Sequence, residues 1–115
     1  MIDVIQVVTT TASQEEAQRI AQAVVGRRLA ACAQIAGPIT SIYHWQGQIE
    51  TSQEWTCTIK TVAARYAAVE VAIRELHSYE VPEILAVPVL AGSQAYLDWL
   101  AAELAGEPNS RSEQR

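Results

Sequence analysis

The chain has no phenylalanine, one methionine and a single lysine, Lys60, among eight basic residues. Three tryptophans and four tyrosines therefore supply all the aromatic surface. Each of these rings carries a polar tip that needs a partner when buried. Cysteine is scarce as well. Cys32 and Cys57 stand apart among apolar or hydroxyl neighbours, with no CxxC pair, and read as free thiols of a reducing compartment. The five glycines are scattered, which excludes a glycine-rich phosphate loop. No apolar run approaches the ~18 residues of a membrane-spanning helix. Basic residues are outnumbered by thirteen acidic ones, for a net charge of −5. The seven arginines form no patch, so neither a nucleic acid nor an anionic membrane is an expected partner. The opening Met1-Ile2-Asp3-Val4-Ile5 has an acid and no base before it, unlike a secretory leader, and the expected location is cytoplasmic.

What is present is a globular composition. Half of the 115 residues are hydrophobic and 18% are charged, which excludes disorder of the whole chain. Chains split into several domains only beyond ~250 residues, so a single domain is expected over residues 1–105, followed by a polar tail over 106–115.

The local signals alternate between strand and helix. Ile2 to Thr9 is a β-branched, nearly all-apolar run, the pattern of a strand buried on both faces. Ser13 followed three residues later by Glu16 is a capping box, which makes the acid pair Glu15-Glu16 a helix start. Ala17, Ile20, Ala21, Val24 and Leu29 follow the helical period, with Arg27 and Arg28 at the end the dipole favours. Ala31 to Ile35 is extended, Gly37-Pro38 interrupts it, and a strand resumes from Ile39 to Trp45. Gln46-Gly47 marks a hairpin turn. In the returning strand Trp55, Cys57 and Ile59 share one face and Glu54, Thr56, Thr58 and Lys60 the other.

Val62, Tyr66, Val69, Ile73 and Leu76 lie on one face of a second helix. His77-Ser78-Tyr79 leaves it, and Val81 is driven to an extended conformation by Pro82. Ile84 to Leu90 is a strand in which Pro88 requires an edge or a bulge. Ser93 caps a last helix carrying Leu97, Leu100 and Leu104. Two split βαβ halves joined by a hairpin predict a ferredoxin-like α+β sandwich, βαββαβ, with an extra C-terminal helix. Both main helices then cover one sheet face. The other face is apolar enough to need cover, either from a partner subunit or from the last helix.

Four segments carry a resemblance. Arg28-Leu29-Ala30-Ala31-Cys32-Ala33, Ser41-Ile42-Tyr43-His44-Trp45-Gln46-Gly47, Ile59-Lys60-Thr61 and His77-Ser78-Tyr79-Glu80-Val81-Pro82-Glu83-Ile84 are similar to motifs of the CutA divalent-cation tolerance family, in the same order, from about Ile2 to Ala105. The resemblance implies a homotrimer of ferredoxin-like subunits, similar to the PII signalling proteins, with a role in the response to copper or another divalent cation. Members with a proposed copper site carry a cysteine after the first strand and a second histidine before the His-x-Tyr-x-x-Pro-Glu segment. Thr10 and Leu76 stand at those positions here, which leaves His77 as the one candidate metal ligand of that set.

Copper and zinc sites want two to four His or Cys ligands, and His44, His77, Cys32 and Cys57 form no pair at helical spacing. No Ser-His-Asp or Cys-His ordering is evident, so no catalytic residue is expected and the protein is read as a non-enzyme. The remaining constellation is Trp45, Lys60, His77, Tyr79 and Glu83. If these meet in a cleft between subunits, they suit a small anionic or zwitterionic ligand. Alternatively Lys60, Tyr79 and Glu83 tie subunits together by an ion pair and hydrogen bonds. Three functional readings follow: small-ligand binding with a signalling role, direct copper binding, or a trimeric scaffold that presents loops to a protein partner.

Overall fold

The computed structural model describes residues 3–105. In chain order it contains β1 (Val4–Thr11), α1 (Gln14–Gly26), β2 (Cys32–Trp45), β3 (Gln48–Val62), a 3-10 turn (Ala63–Arg65), α2 (Tyr66–Leu76), β4 (Leu85–Pro88) and α3 (Gln94–Leu104). The strands form one sheet in the order β2-β3-β1-β4, with every neighbouring pair antiparallel. This is the expected ferredoxin-like α+β arrangement. The tail over 106–115 lies outside the described residues.

Alternation along β1 divides the protein into two cores. Ile5 and Val7, with Cys57 and Ile59 of β3, face α1 and α2 and pack against Ala17, Ile20, Val24, Val69 and Ile73. Val4, on the opposite face, packs against Leu100 and Leu104 of α3, with Val62 and Tyr96 beside them. The last helix therefore covers one end of the second face. Beyond its reach Leu85 and Val87 of β4 remain exposed. Pro88 sits in β4, an edge strand, where its missing N–H costs no ladder bond.

The caps match the sequence. Ser13 Oγ accepts the Glu16 N–H and Ser93 Oγ accepts the Tyr96 N–H. Three local expectations are corrected. Gly37-Pro38 does not end a strand; it is a bulge inside a continuous β2, where the register shifts between Ala36 and Ile39. Val62 belongs to β3, and α2 begins only at Tyr66, after the 3-10 turn. Arg28 does not continue the helix. It adopts φ 58 and reaches across to α3, donating to the Glu103 carbonyl at 2.8 Å and to its carboxylate at 3.2 Å.

The β2–β3 hairpin is the dominant shape feature. Its distal half, from Ile39 to the Gln46-Gly47 turn and back, runs past the helices and stretches the molecule to 48 × 27 × 23 Å. Gln46 (φ 52) and Gly47 (φ 80) both take positive φ, the mirror-image turn that matches strand twist. Two strands alone are marginal in water. Yet this arm leaves Ile42 and Ile49 each 69% exposed and Trp45 53% exposed.

Candidate functional site

The base of the hairpin arm meets the segment between α2 and β4. Proline at 82 and the end of α2 at Leu76 make that segment extended, and two hydrogen-bond systems fasten it to the sheet.

The first system is buried. The capping position of Glu16 suggested only a reciprocal bond within its own helix end. In the fold Glu16 is 4% exposed, and its carboxylate accepts the Ser78 N–H at 2.7 Å and the Ser78 hydroxyl at 3.0 Å. A buried carboxylate is tolerable when charge-assisted bonds and a helix N-terminus surround it, and both conditions hold here. His77 lies directly behind, with a fully buried side chain. Its Nδ1 accepts the Tyr79 N–H at 3.0 Å, and its Nε2 is 2.7 Å from the Thr10 carbonyl. A carbonyl only accepts, so Nε2 carries the ring proton and donates it to Thr10. Glu16 also approaches Nδ1, at 3.4 Å. The shorter bond from the Tyr79 amide identifies Nδ1 as an acceptor.

The second system reaches the surface. The Tyr79 hydroxyl donates to Glu54 Oε2 at 2.8 Å. Burial first, then the Glu54 hydrogen bond and charge, push the Tyr79 phenol well above the usual range, so it remains a donor. Glu54 is 8% exposed although alternation along β3 assigned it to the polar face. No sequence signal marks it, because its hydrogen-bond partner lies 25 positions away.

Together these elements enclose a concavity of about 680 Å³. Tyr43, Trp45 and Glu54 line it from the hairpin strands, and Tyr79, Glu80 and Glu83 from the segment between α2 and β4. Of the five expected site residues, one chain brings together Trp45, Tyr79 and Glu83. His77 is in the supporting layer beneath Tyr79. Lys60 is not in this wall: its Nζ lies 5.8 Å from the Tyr96 ring centroid, at the end of the sheet covered by α3. The expectation of an anionic or zwitterionic ligand depended on Lys60 and His77 lining the cleft, and the wall of one chain contains neither.

The metal candidates do not converge. No group of three or more His, Cys, Asp or Glu residues is placed to hold a metal ion among the described residues. Both His77 ring nitrogens are engaged within the protein. Cys57 is buried and Cys32 half-buried, and neither is in a disulfide. Burial pushes the Cys57 thiol up to about 11, away from the thiolate that metals bind.

Comparison with known proteins places this architecture. The family model of the CutA1 divalent ion tolerance protein matches residues 5–103. The divalent-cation tolerance protein CutA of Thermus thermophilus is 44% identical over 94 residues, covering 82% of this chain and 91% of that protein. Mouse protein CutA is 43% identical over 91 residues, covering 79% of this chain but 51% of its own length, so this chain spans about half of that relative. Among solved structures, CutA from Xylella fastidiosa superposes with a TM-score of 0.86 at 38% identity, covering 89% of this chain and 98% of that one. The periplasmic divalent cation tolerance protein CutA from Archaeoglobus fulgidus gives 0.85 at 36% identity, covering 88% and 98%. With a family model matched across nearly the whole fold and relatives above 40% identity, the chain belongs to the CutA1 divalent ion tolerance family.

Proposed function

We propose that this chain serves divalent-cation tolerance as a non-enzymatic binding protein, taking a small ligand in the concavity at the base of the hairpin arm. The observation that carries this reading is the concavity itself. Two rigid systems, Glu16–Ser78–His77 and Tyr79–Glu54, hold its far wall, and an aromatic pair on the hairpin faces them. Few convergent polar groups against an aromatic wall is the usual make-up of a ligand site. The working form is a homotrimer. Support comes from the exposed apolar side chains of the arm and of β4, which a soluble chain covers with another subunit, and from the shape of the arm, long enough to reach one. The concavity then lies where a neighbouring subunit closes it, and ligand occupancy is legible to a protein partner as a change in the trimer surface.

Direct copper binding is the second reading, and it rests on His77. Its weakness is chemical: a metal at His77 must displace either the Tyr79 amide or the Thr10 carbonyl from a buried ring. The proposed location is cytoplasmic, in keeping with two free thiols. Cell fractionation checks it, and recovery in a periplasmic fraction contradicts it.

Native mass spectrometry of the protein, purified gently from its own cells, tests the function. The expected result is a trimer that carries, or accepts from a metabolite extract, an organic mass whose occupancy Trp45→Ala lowers. A trimer with stoichiometric copper that His77→Ala releases supports the second reading instead.

A further inference from the structure

We infer that the concavity is selective for a small organic cation, an alkylammonium or guanidinium group. The inference rests on the proposed small-ligand function of this site and specifies its chemistry.

Three observations converge. First, three carboxylates, Glu54, Glu80 and Glu83, line the concavity, and among the described residues of the same chain no lysine, arginine or histidine does. None of the three is ion-paired with a basic side chain among the described residues. Second, one of these acids, Glu54, is mostly buried. At 8% exposure its Oε2 accepts the Tyr79 hydroxyl, and Glu54 is one of the residues that line the concavity. A carboxylate held at low exposure, with one hydrogen bond from a neutral phenol and no basic partner, is stabilised by a cationic N–H donor in the concavity. Third, the rings of Tyr43, Trp45 and Tyr79 share the same space. Aromatic faces carry negative potential and attract a cation, most strongly when water is excluded. Carboxylates and aromatic side chains lining one concavity are therefore complementary to one positive charge bearing N–H donors on a short apolar body. An anion meets uncompensated carboxylates there, and a neutral isostere gains nothing from them. A bare metal ion finds no ligand cluster among the described residues.

The test is calorimetric titration of the intact wild-type protein with butylguanidinium chloride, sodium butyrate and 1-pentanol. Butylguanidinium is expected to bind, with butyrate and pentanol at least tenfold weaker. Glu54→Gln keeps an acceptor for Tyr79 but removes the charge, and is expected to weaken butylguanidinium roughly tenfold or more. Glu83→Gln on the rim and Trp45→Ala on the hairpin are expected to weaken it roughly threefold each, at unchanged circular dichroism. These rim variants keep the test valid if Glu54→Gln folds poorly. Butyrate binding as tightly as butylguanidinium overturns the cation selectivity while leaving the small-ligand reading standing. Failure of all three probes, together with an empty native trimer, overturns both. Butylguanidinium binding that Glu83→Gln and Trp45→Ala leave unchanged places the cation elsewhere and overturns the assignment.

Discussion

Replacing Glu16 by alanine discriminates sharply between a helix cap and a tertiary tether. If Glu16 only favours the start of α1, its carboxylate contributes ~0.3–1 kcal/mol through the dipole and the box. Its neighbour Glu15 is exposed in the same first turn and should then behave alike. The structure separates them. Glu16 is buried and accepts two bonds from Ser78, one from a backbone amide at 2.7 Å. Hydrogen bonds to charged groups contribute about 1.5–3 kcal/mol each, but Ser78 is exposed and water replaces part of the loss. The expected cost of Glu16→Ala is therefore about 2–3 kcal/mol, against under ~1 kcal/mol for Glu15→Ala. Urea unfolding followed by tryptophan fluorescence, at one fixed protein concentration, measures both. Because the tether holds the segment that carries Tyr79, Glu16→Ala should also weaken butylguanidinium, whereas Glu15→Ala should not. Equal, small costs for the two variants refute the tether.

Other outcomes follow from single residues. Thr9 is fully buried with no hydrogen-bond partner for its hydroxyl among the described residues, so Thr9→Val should stabilise by about 1 kcal/mol in the same urea assay; a loss of stability contradicts an orphaned hydroxyl. A Cβ added at Gly37 meets Trp55 Cδ1 at 2.6 Å, so Gly37→Ala should cost about 1–3 kcal/mol, and a neutral result would show that the Trp55 ring yields freely. Cys57 is raised by burial from 9.0 to about 11, so its neutral form favours the folded state. Its contribution is fully present below pH 9 and is lost as the pH rises to about 11, a fall of roughly 2–3 kcal/mol across that window. Cys57→Ala should flatten that part of the stability–pH curve, and an unchanged slope assigns it to another group.

Much of this was legible residue by residue. Ser13 and Ser93 announced their helices because a cap is a local bond, three residues long. Gln46-Gly47 announced the hairpin because positive φ at two successive positions restricts residue choice. Alternation in β3 correctly divided Cys57 and Ile59 from Lys60. The site was only half legible. Trp45, Tyr79 and Glu83 were singled out and do meet around one concavity. Glu54 was missed because its partner is Tyr79, and periodicity is blind to a hydrogen bond 25 residues away. Glu16 carried a correct local reading that concealed a second role, 62 residues distant at Ser78. Glycine and proline break ladder bonds whether a strand ends or merely shifts register, so sequence alone does not separate the bulge at Gly37 from an interruption. The end of the open face covered by α3 was undecidable from pattern, since an amphipathic helix states which side it buries but not against what.

The central claim is that ligand recognition occurs between the hairpin and the Tyr79 wall rather than at His77. The three tryptophans make this directly measurable, because each contributes one indole N–H signal in a nitrogen-edited NMR spectrum. Trp45 lines the concavity, whereas Trp55 packs on the main core and Trp99, within α3, on the second core. Titration with butylguanidinium should shift the Trp45 signal and the amides of residues 79–81, leaving Trp99 unmoved. A silent Trp45, with copper(II) instead broadening the signals around His77 at stoichiometric addition, would contradict the account.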